Sequence, residues 1–557
     1  MPFRVRGAAS DALCVASRLT RLAKFLRAPA DMEPLRTHKV WIATKGCTAG
    51  VLRVTRLTFV PSTKRWTASL AVGAMLMGCS AADLNDGTRG SSIRPSDPSD
   101  PSSVAESPRL RASIDPRRSL AVTDQAILTR FSLQRVLGQL VSQSGVSGLT
   151  ALGLFQQWWD VQNPKPGLGR GAHCDDQVDA TLGPVLNGFP YSCRPAPSEG
   201  AQASCDPFAA GSACAYIPIG LFNRFDLMPE NGAFCGEYRI VYGKQTGIAN
   251  TDDRNLIIFE AAMPNPLPLL GLEGCRSVVQ FWAGLSDVND IEMRAARLEQ
   301  FYFEGLLIAV PPVPAVIRIE HFGDNAAGRG QIRTNQFSFP SPRIWSLREF
   351  KLRRECGLLT CSSLKVVPVT AKDSPHGPLF AVATHPKTAA FQSYLPGQVQ
   401  ALSGATIPDI DEEIPDTYNS GQSQATSLTT ETNYLANLGA DTSPLRDAIG
   451  ASLANQGSTL TVDHIVARVQ ALSCAGCHRL SNGADLGGGI TWPPSLGFTH
   501  VTERETEVVD GSTRYLLSEA LNGTFLPHRQ DVFERYLSKS LLLRLLPLRP
   551  IGGFCVH

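Results

Sequence analysis

Residues 238–303 read YRIVYGKQTGIANTDDRNLIIFEAAMPNPLPLLGLEGCRSVVQFWAGLSDVNDIEMRAARLEQFYF, and this stretch decides the fold class. Two short runs rich in β-branched and aromatic residues, 238–242 and 256–260, read as strands. Further on, apolar residues recur at helical spacing over 278–285 and 291–303, the second with Met293, Ala296, Leu298 and Phe301 along one side. Upstream, Asp124 is a helix cap ahead of Ile127, Phe131, Val136, Leu137, Leu140 and Val141, and a second helix is expected over 149–159. Downstream, 315–319 and 345–352 read as strands. Helices and strands mingle without βα alternation or internal repeat, so the main domain is expected to be α+β.

The chain of 557 residues has room for roughly two to four domains, and a net charge of +2 gives no basic field for nucleic acid. That total hides an asymmetry. Residues 1–65 carry thirteen Lys and Arg against three acids, while the remainder carries thirty-nine against forty-seven. No run of 18 apolar residues offers a conventional transmembrane helix. Fourteen cysteines point to an oxidising compartment. Eight of them (Cys174, Cys193, Cys205, Cys214, Cys235, Cys275, Cys356 and Cys361) fall in the middle region and read as a disulfide framework. Eight cysteines allow 105 connectivities; pairing of sequential neighbours is the expectation.

The basic leader ends at Lys64–Arg65, then turns apolar from Trp66 to Met77, and Leu76–Met77–Gly78–Cys79 follows. Charge, apolar core and a small residue in that order follow the logic of an export signal. The run resembles the lipobox of bacterial lipoproteins, with Met77 where that family has a smaller residue. The resemblance implies lipidation of Cys79, anchorage to membrane lipid, and a place in the cell envelope at the outer membrane or periplasmic face. The leader is longer than such a signal needs, so translation is expected to start near Val51, Leu52 or Val54. From Cys79 to Arg117 the sequence is rich in Ser, Asp, Pro and Arg without apolar periodicity, as a disordered tether would be.

Several polar clusters in the middle region invite a chemical reading. His173–Cys174–Asp175–Asp176 sets possible ligands side by side, yet successive side chains diverge. Asn223–Arg224–Phe225–Asp226 and Cys235–Gly236–Glu237–Tyr238–Arg239 carry charges beside expected strands, where they either form buried ion pairs or line a cleft. Asp409–Ile410–Asp411–Glu412–Glu413 lacks the glycine and spacing of a calcium loop. None of these names a reaction.

One motif is specific: Cys474–Ala475–Gly476–Cys477–His478. CxxCH is the attachment sequence of a c-type haem, in which two thiols a helical turn apart add to the porphyrin and the next histidine ligates iron. Thr461 or Asp463 caps a helix through Ile465, Val466, Val469 and Leu472 into the motif. Gly487–Gly488–Gly489 and Trp492–Pro493–Pro494 then follow. Residues 460–545 thereby resemble the small soluble cytochromes c. The resemblance implies an all-α module with one covalent haem c on Cys474 and Cys477, His478 as iron ligand, and Pro493 or Pro494 orienting its imidazole. Closing helices are expected at 515–521 and 531–537. All seven methionines precede the motif, so His528 is the first candidate for a second ligand and His500 the next.

The expected organisation is therefore a leader over 1–78, a lipidated tether over 79–117, a disulfide-containing α+β domain over 118–395, a connecting segment over 396–459, the cytochrome c-like module over 460–545 and a tail over 546–557. Cys555 is left without a partner. A membrane-anchored electron-transfer protein with an unnamed redox partner is the leading expectation. A haem-coupled oxidoreductase with its substrate site in the middle domain, a redox CxxC pair, and a disulfide-stapled lipoprotein without haem remain open.

Overall fold

The structure is a computed structural model describing residues 113–538, apart from 196–198, 324–329, 338–343, 359, 383–384 and 427–430. It also describes two antiparallel strands in the leader, Val40–Thr44 and Arg53–Leu57. Cys79, the apolar segment before it and Cys555 lie outside the described residues, so the lipidation site and most of the expected tether are not described. The Asp115 carboxylate caps a helical turn at Pro116–Ser119, within the last residues expected as tether.

An antiparallel sheet organises the rest. Its strands are β1 (Ala121–Val122), β2 (Tyr216–Arg224), β3 (Phe234–Lys244), β4 (Asn255–Pro264), β5 (Gln331–Phe337), β6 (Trp345–Cys356) and β7 (Cys361–Val369). They lie side by side in the order β7-β6-β5-β4-β3-β2-β1, and a short strand β8 (Ser423–Gln424) pairs with the start of β6. The expected strands over 238–242, 256–260 and 345–352 are the hearts of β3, β4 and β6. The one expected over 315–319 is instead irregular chain leading into a turn at Ile319–His321. Helices α1 (Leu133–Ser144), α2 (Ala151–Asp160), α3 (Arg276–Ala283) and α4 (Ile291–Phe303) match the expected helical runs. On α4 the buried face is Arg294, Ala295, Leu298, Phe301 and Tyr302, while Met293 and Ala296 are exposed. Asp124 flanks a short helical turn but gives it no side-chain cap, because its carboxylate pairs with Arg514 at 3.0 Å.

Alternation along the strands divides the sheet into two unlike faces. Tyr238, Tyr242 and Phe259 point to the helices, where Tyr238 stacks on Trp282 and Trp158 meets Phe259 and Phe350 edge-on. Arg239, Glu260, Arg333 and Glu349 point the other way and form a row of ion pairs across β3 to β6. Arg239 meets Glu260 at 3.0 Å, Arg333 meets Glu260 at 3.1 Å, and Arg333 meets Glu349 at 3.0 Å. All four side chains are buried, because residues from 460 onward cover this face. Burial alone would lower the Arg333 pKa, but Glu260 and Glu349 outweigh it and raise it.

Four disulfides join sequential neighbours as expected: Cys174–Cys193, Cys205–Cys214, Cys235–Cys275 and Cys356–Cys361. The third ties β3 to the start of α3, and the fourth closes the β6–β7 turn.

The expected cytochrome-like segment is not all-α. After α5 (Pro444–Asn455) and α6 (Val462–Leu472), residues 501–517 form a hairpin of β9 (Val501–Val509) and β10 (Ser512–Leu517). The expected helix into the motif is α6, capped by Thr461, and of the two expected closing helices only the last, α7 (Leu526–Ser538), forms. The β-branched residues Val501, Thr502, Thr506, Val508 and Val509 in VTERETEVV favour a strand, and Asp510–Gly511, both at positive φ, make the turn. This segment shares a continuous buried core with the sheet. Arg254 on the sheet side pairs with Glu503 at 2.8 Å, and Tyr536 donates to the Leu272 carbonyl at 2.9 Å.

Two predictions follow from this arrangement. Glu260→Gln leaves Arg239 and Arg333 without their shared counter-charge and should cost about 3–5 kcal/mol in urea unfolding; a cost below about 1 kcal/mol would contradict the role given to the row. Burial also holds His321 at about 4, against the raising effect of its Val316 carbonyl contact. A depressed histidine stabilises the fold fully above its unfolded value near 6.5, and this is lost as pH falls from there towards 4. His321→Asn should therefore flatten the loss of stability over that window, read as urea midpoint against pH.

Candidate functional site

The chain enters the site along α6. Thr461 caps this helix by accepting from the His464 backbone N–H, and the His464 ring returns a contact to the Thr461 N–H. At Ser473 the backbone turns, and Gly476–Leu480 forms a wide π-helical turn carrying the last three residues of the motif. The turn is tight against the preceding helix. A Cβ on Gly476 would stand 1.6 Å from the Gln470 carbonyl oxygen, so only glycine fits at this position.

Cys474 and Cys477 are wholly buried, and neither belongs to one of the four disulfides. Cys474 packs with Trp345, Leu347, Ala371 and Ala425, and its backbone N–H donates to Ser374 Oγ at 3.3 Å. Burial pushes its thiol pKa up. The Cys477 Sγ lies 3.4 Å from His500 Nε2, and His500 Nδ1 contacts Ser518 Oγ at 2.9 Å.

His478 is buried beneath Trp345, with ring centroids 5.3 Å apart. Its Nδ1 donates to the Phe498 carbonyl at 2.9 Å, a carbonyl that also accepts from Asn335 at 3.2 Å. The orienting carbonyl is thus Phe498, not Pro493 or Pro494; the Pro494 carbonyl instead accepts from the Ala520 N–H. Positive φ at Phe498 marks the bend that aims this carbonyl at the ring. Burial holds His478 at about 4 and lowers His500 well below its ordinary range, with His478 adding to the effect on His500. Both imidazoles are therefore neutral near pH 7. With the Nδ1 proton held by Phe498, Nε2 is the nitrogen that carries the lone pair.

His478 and His500 line a cavity with about 60 Å³ of free space between the sheet and the covering segment. Phe222, Val241, Leu256, Ile258 and Leu347 form the sheet wall, and Val501, Leu521 and Phe525 the opposite wall. Arg224, Arg239, Arg333, Arg529, Glu260 and Asn335 supply its polar lining. The lining is mostly apolar with a few convergent polar groups, but the free space is well below the roughly 300 Å³ or more of a cofactor pocket. His478 brings an oriented, neutral imidazole to this lining, whereas neither Cys474 nor Cys477 lines the cavity and its free space is smaller than a porphyrin.

The second-ligand expectation fares differently. His528 sits in the first turn of α7, half-buried in the field of Asp226, and does not line the cavity. His500 does, yet its ring touches that of His478, with centroids 4.8 Å apart. No flat macrocycle lies between two rings in contact.

The other polar clusters have structural partners. His173 meets Asp160 at 3.2 Å, Cys174 is in a disulfide, and Asp176 pairs with Lys165 at 2.7 Å. Arg224–Asp226 and Glu237–Arg239 form buried ion pairs, and both arginines also line the cavity. Among the described residues no group of three or more His, Cys, Asp and Glu side chains is placed to hold a bare metal ion, and no helix is long and apolar enough to cross a membrane.

The arginine lining was only half legible in the sequence. Arg224 and Arg239 stood out beside expected strands, whereas Arg333 and Arg529 gave no local signal. Comparison with family models, curated proteins and solved structures finds no match for this chain.

The tight turn yields a direct test. Gly476→Ala should lower stability by about 1–3 kcal/mol in urea unfolding, whereas Gly523→Ala, which meets nothing within 4 Å, should be near neutral. Equal effects at both positions would contradict the packing described at the motif.

Proposed function

We propose that this chain is a c-type haem protein that carries single electrons, with one haem attached at Cys474 and Cys477 and ligated by His478. The observation that carries the reading is the His478 ring: buried, neutral, fixed through Nδ1 by the Phe498 carbonyl, and lining a largely apolar cavity. A ligating histidine ordinarily has its other ring nitrogen held in this way. Such a haem would supply one-electron oxidation and reduction.

The protein's own residues do the rest. Trp345 and Phe498 fix the histidine plane, the apolar walls exclude water, and His500 closes the space beside Cys477. A thioredoxin-like dithiol is the weaker reading. Such chemistry needs an accessible cysteine of lowered pKa, whereas Cys474 is buried with its pKa raised. Four disulfides accord with the oxidising compartment in which haem attachment occurs. Lipid anchorage through Cys79 at the cell envelope, and an encounter with a redox partner protein, belong to the same proposal and rest on the leader sequence alone.

Produced in a host that matures c-type cytochromes, the protein should hold haem that survives denaturation and acid–acetone extraction. Cys477→Ser should leave it extractable or absent, and His478→Ala should shift the visible spectrum. A colourless wild-type product would overturn the proposal.

A further inference from the structure

The loop that follows α4 is apolar yet faces water. From Gly305 to Ile317 no side chain is charged or polar, and Leu307, Ile308 and Val310 stand 65%, 94% and 92% exposed. The loop is braced at its base, where Leu306 and Val313 exchange backbone hydrogen bonds at 2.9 and 3.2 Å. The turn between β6 and β7 repeats the pattern. Cys356–Cys361 closes it, the Gly357 N–H donates to the Thr360 carbonyl at 2.8 Å, and Leu358 is fully exposed. Both are rooted on α1. Gln139 donates to the Phe303 and Ile317 carbonyls, Gln143 donates to Ile317 and accepts from Arg354, and Val146 bridges to Cys361. Exposed aliphatic side chains gathered in this way mark a contact surface.

Area and position select what it contacts. A stable protein interface buries about 800 Å² on each side, more than four aliphatic tips provide. A bilayer asks only for apolar groups that enter the acyl boundary. The chain from Cys79 joins the folded body beside the turn from α3 to α4, where the Asp115 N–H donates to Ser286 Oγ and Arg118 donates to Asn289. Taken as the coil that its composition implies, the stretch from Cys79 to Ser113 spans about 30 Å. From that same turn α4 carries the chain only about 20 Å to the loop. We propose that Leu307, Ile308 and Val310, with Leu358 beside them, enter the acyl boundary of the lipid bilayer to which the chain is anchored. Their insertion sets which face of the body meets the membrane. The choice of a bilayer rests on the anchorage proposed at Cys79 and is independent of haem.

The test uses full-length Cys79→Ser protein, which takes no acyl chain, with extruded phosphatidylcholine vesicles at millimolar lipid. Hydrogen exchange over 305–315 is read with and without vesicles. The same protein carrying Ile308→Asp/Val310→Asp is compared, and one carrying Val508→Asp, a comparably exposed valine on the β9–β10 hairpin, is the control. Vesicles should slow exchange of the loop about fivefold or more. The double aspartate substitution should abolish that protection, and Val508→Asp should leave it in place. All the substituted side chains are exposed, so urea midpoints should stay equal and confirm that each variant folds. Loop exchange unmoved by vesicles would overturn the inference, and so would protection that survives Ile308→Asp/Val310→Asp. A concentration-dependent dimer in light scattering, lost in the double variant and seen without vesicle protection, would assign the loop to a second copy of the chain and overturn it equally. Should wild-type protein carry no acyl chain by mass, the anchorage reading fails, while the exchange comparison still decides the insertion.

Discussion

A row of charged side chains on one face of a central sheet is the constraint on which the molecule turns. Arg239, Glu260, Arg333 and Glu349 come from four adjacent strands, and each neighbouring pair meets at about hydrogen-bonding distance. Left uncovered, such a face would be an ordinary solvated surface. Here the π turn, the start of β9 and the chain into α7 close over it, so the charges have to satisfy one another. The covering segment gains apolar contacts at its edges, where Phe533 and Tyr536 pack on Phe225, and its own ion pairs, as between Glu503 and Arg254. Middle and C-terminal regions are thereby halves of one interior, with the cavity enclosed where the charged row and the apolar walls meet.

The same constraint places the motif. Cys474 and His478 are set against β6 through Trp345 and against β5 through Asn335. The histidine is held by the main sheet as well as by its own helix, and a change in sheet register would move it. In this fold the redox proposal and the stability of the sheet are therefore physically linked.

Local signals served well wherever one element or one pair of neighbours decided the outcome. The period of 291–303, the β-branched runs of β3 and β4, and the sequential cysteine pairs were all readable, because short loops favour near neighbours. Arg224, Glu237 and Arg239 could be recognised as charges on strands destined either for burial or for a cleft; all three are buried, and the two arginines also line the cavity. What could not be read was set at long range. β2 and β5 escaped notice because buried polar residues such as Asn223, Arg333 and Asn335 break the apolar pattern of a strand. Residues 315–319 carry strand-like composition but find no free edge. The hairpin at 501–517 stood where a closing helix was expected, because the motif upstream suggested a small helical module. Phe498 and Arg529 depend on a bend and a helix packing that only the assembled sheet defines.

The central claim is that this buried Cys–His turn grips a porphyrin against the sheet. Intact-mass measurement of the mature protein, denatured to remove anything not covalently held, tests it most directly. The account predicts a mass greater than that of the polypeptide by one haem, with the increment lost in Cys474→Ser/Cys477→Ser. A mass equal to that of the polypeptide alone, from a host shown to mature another c-type cytochrome, would contradict it.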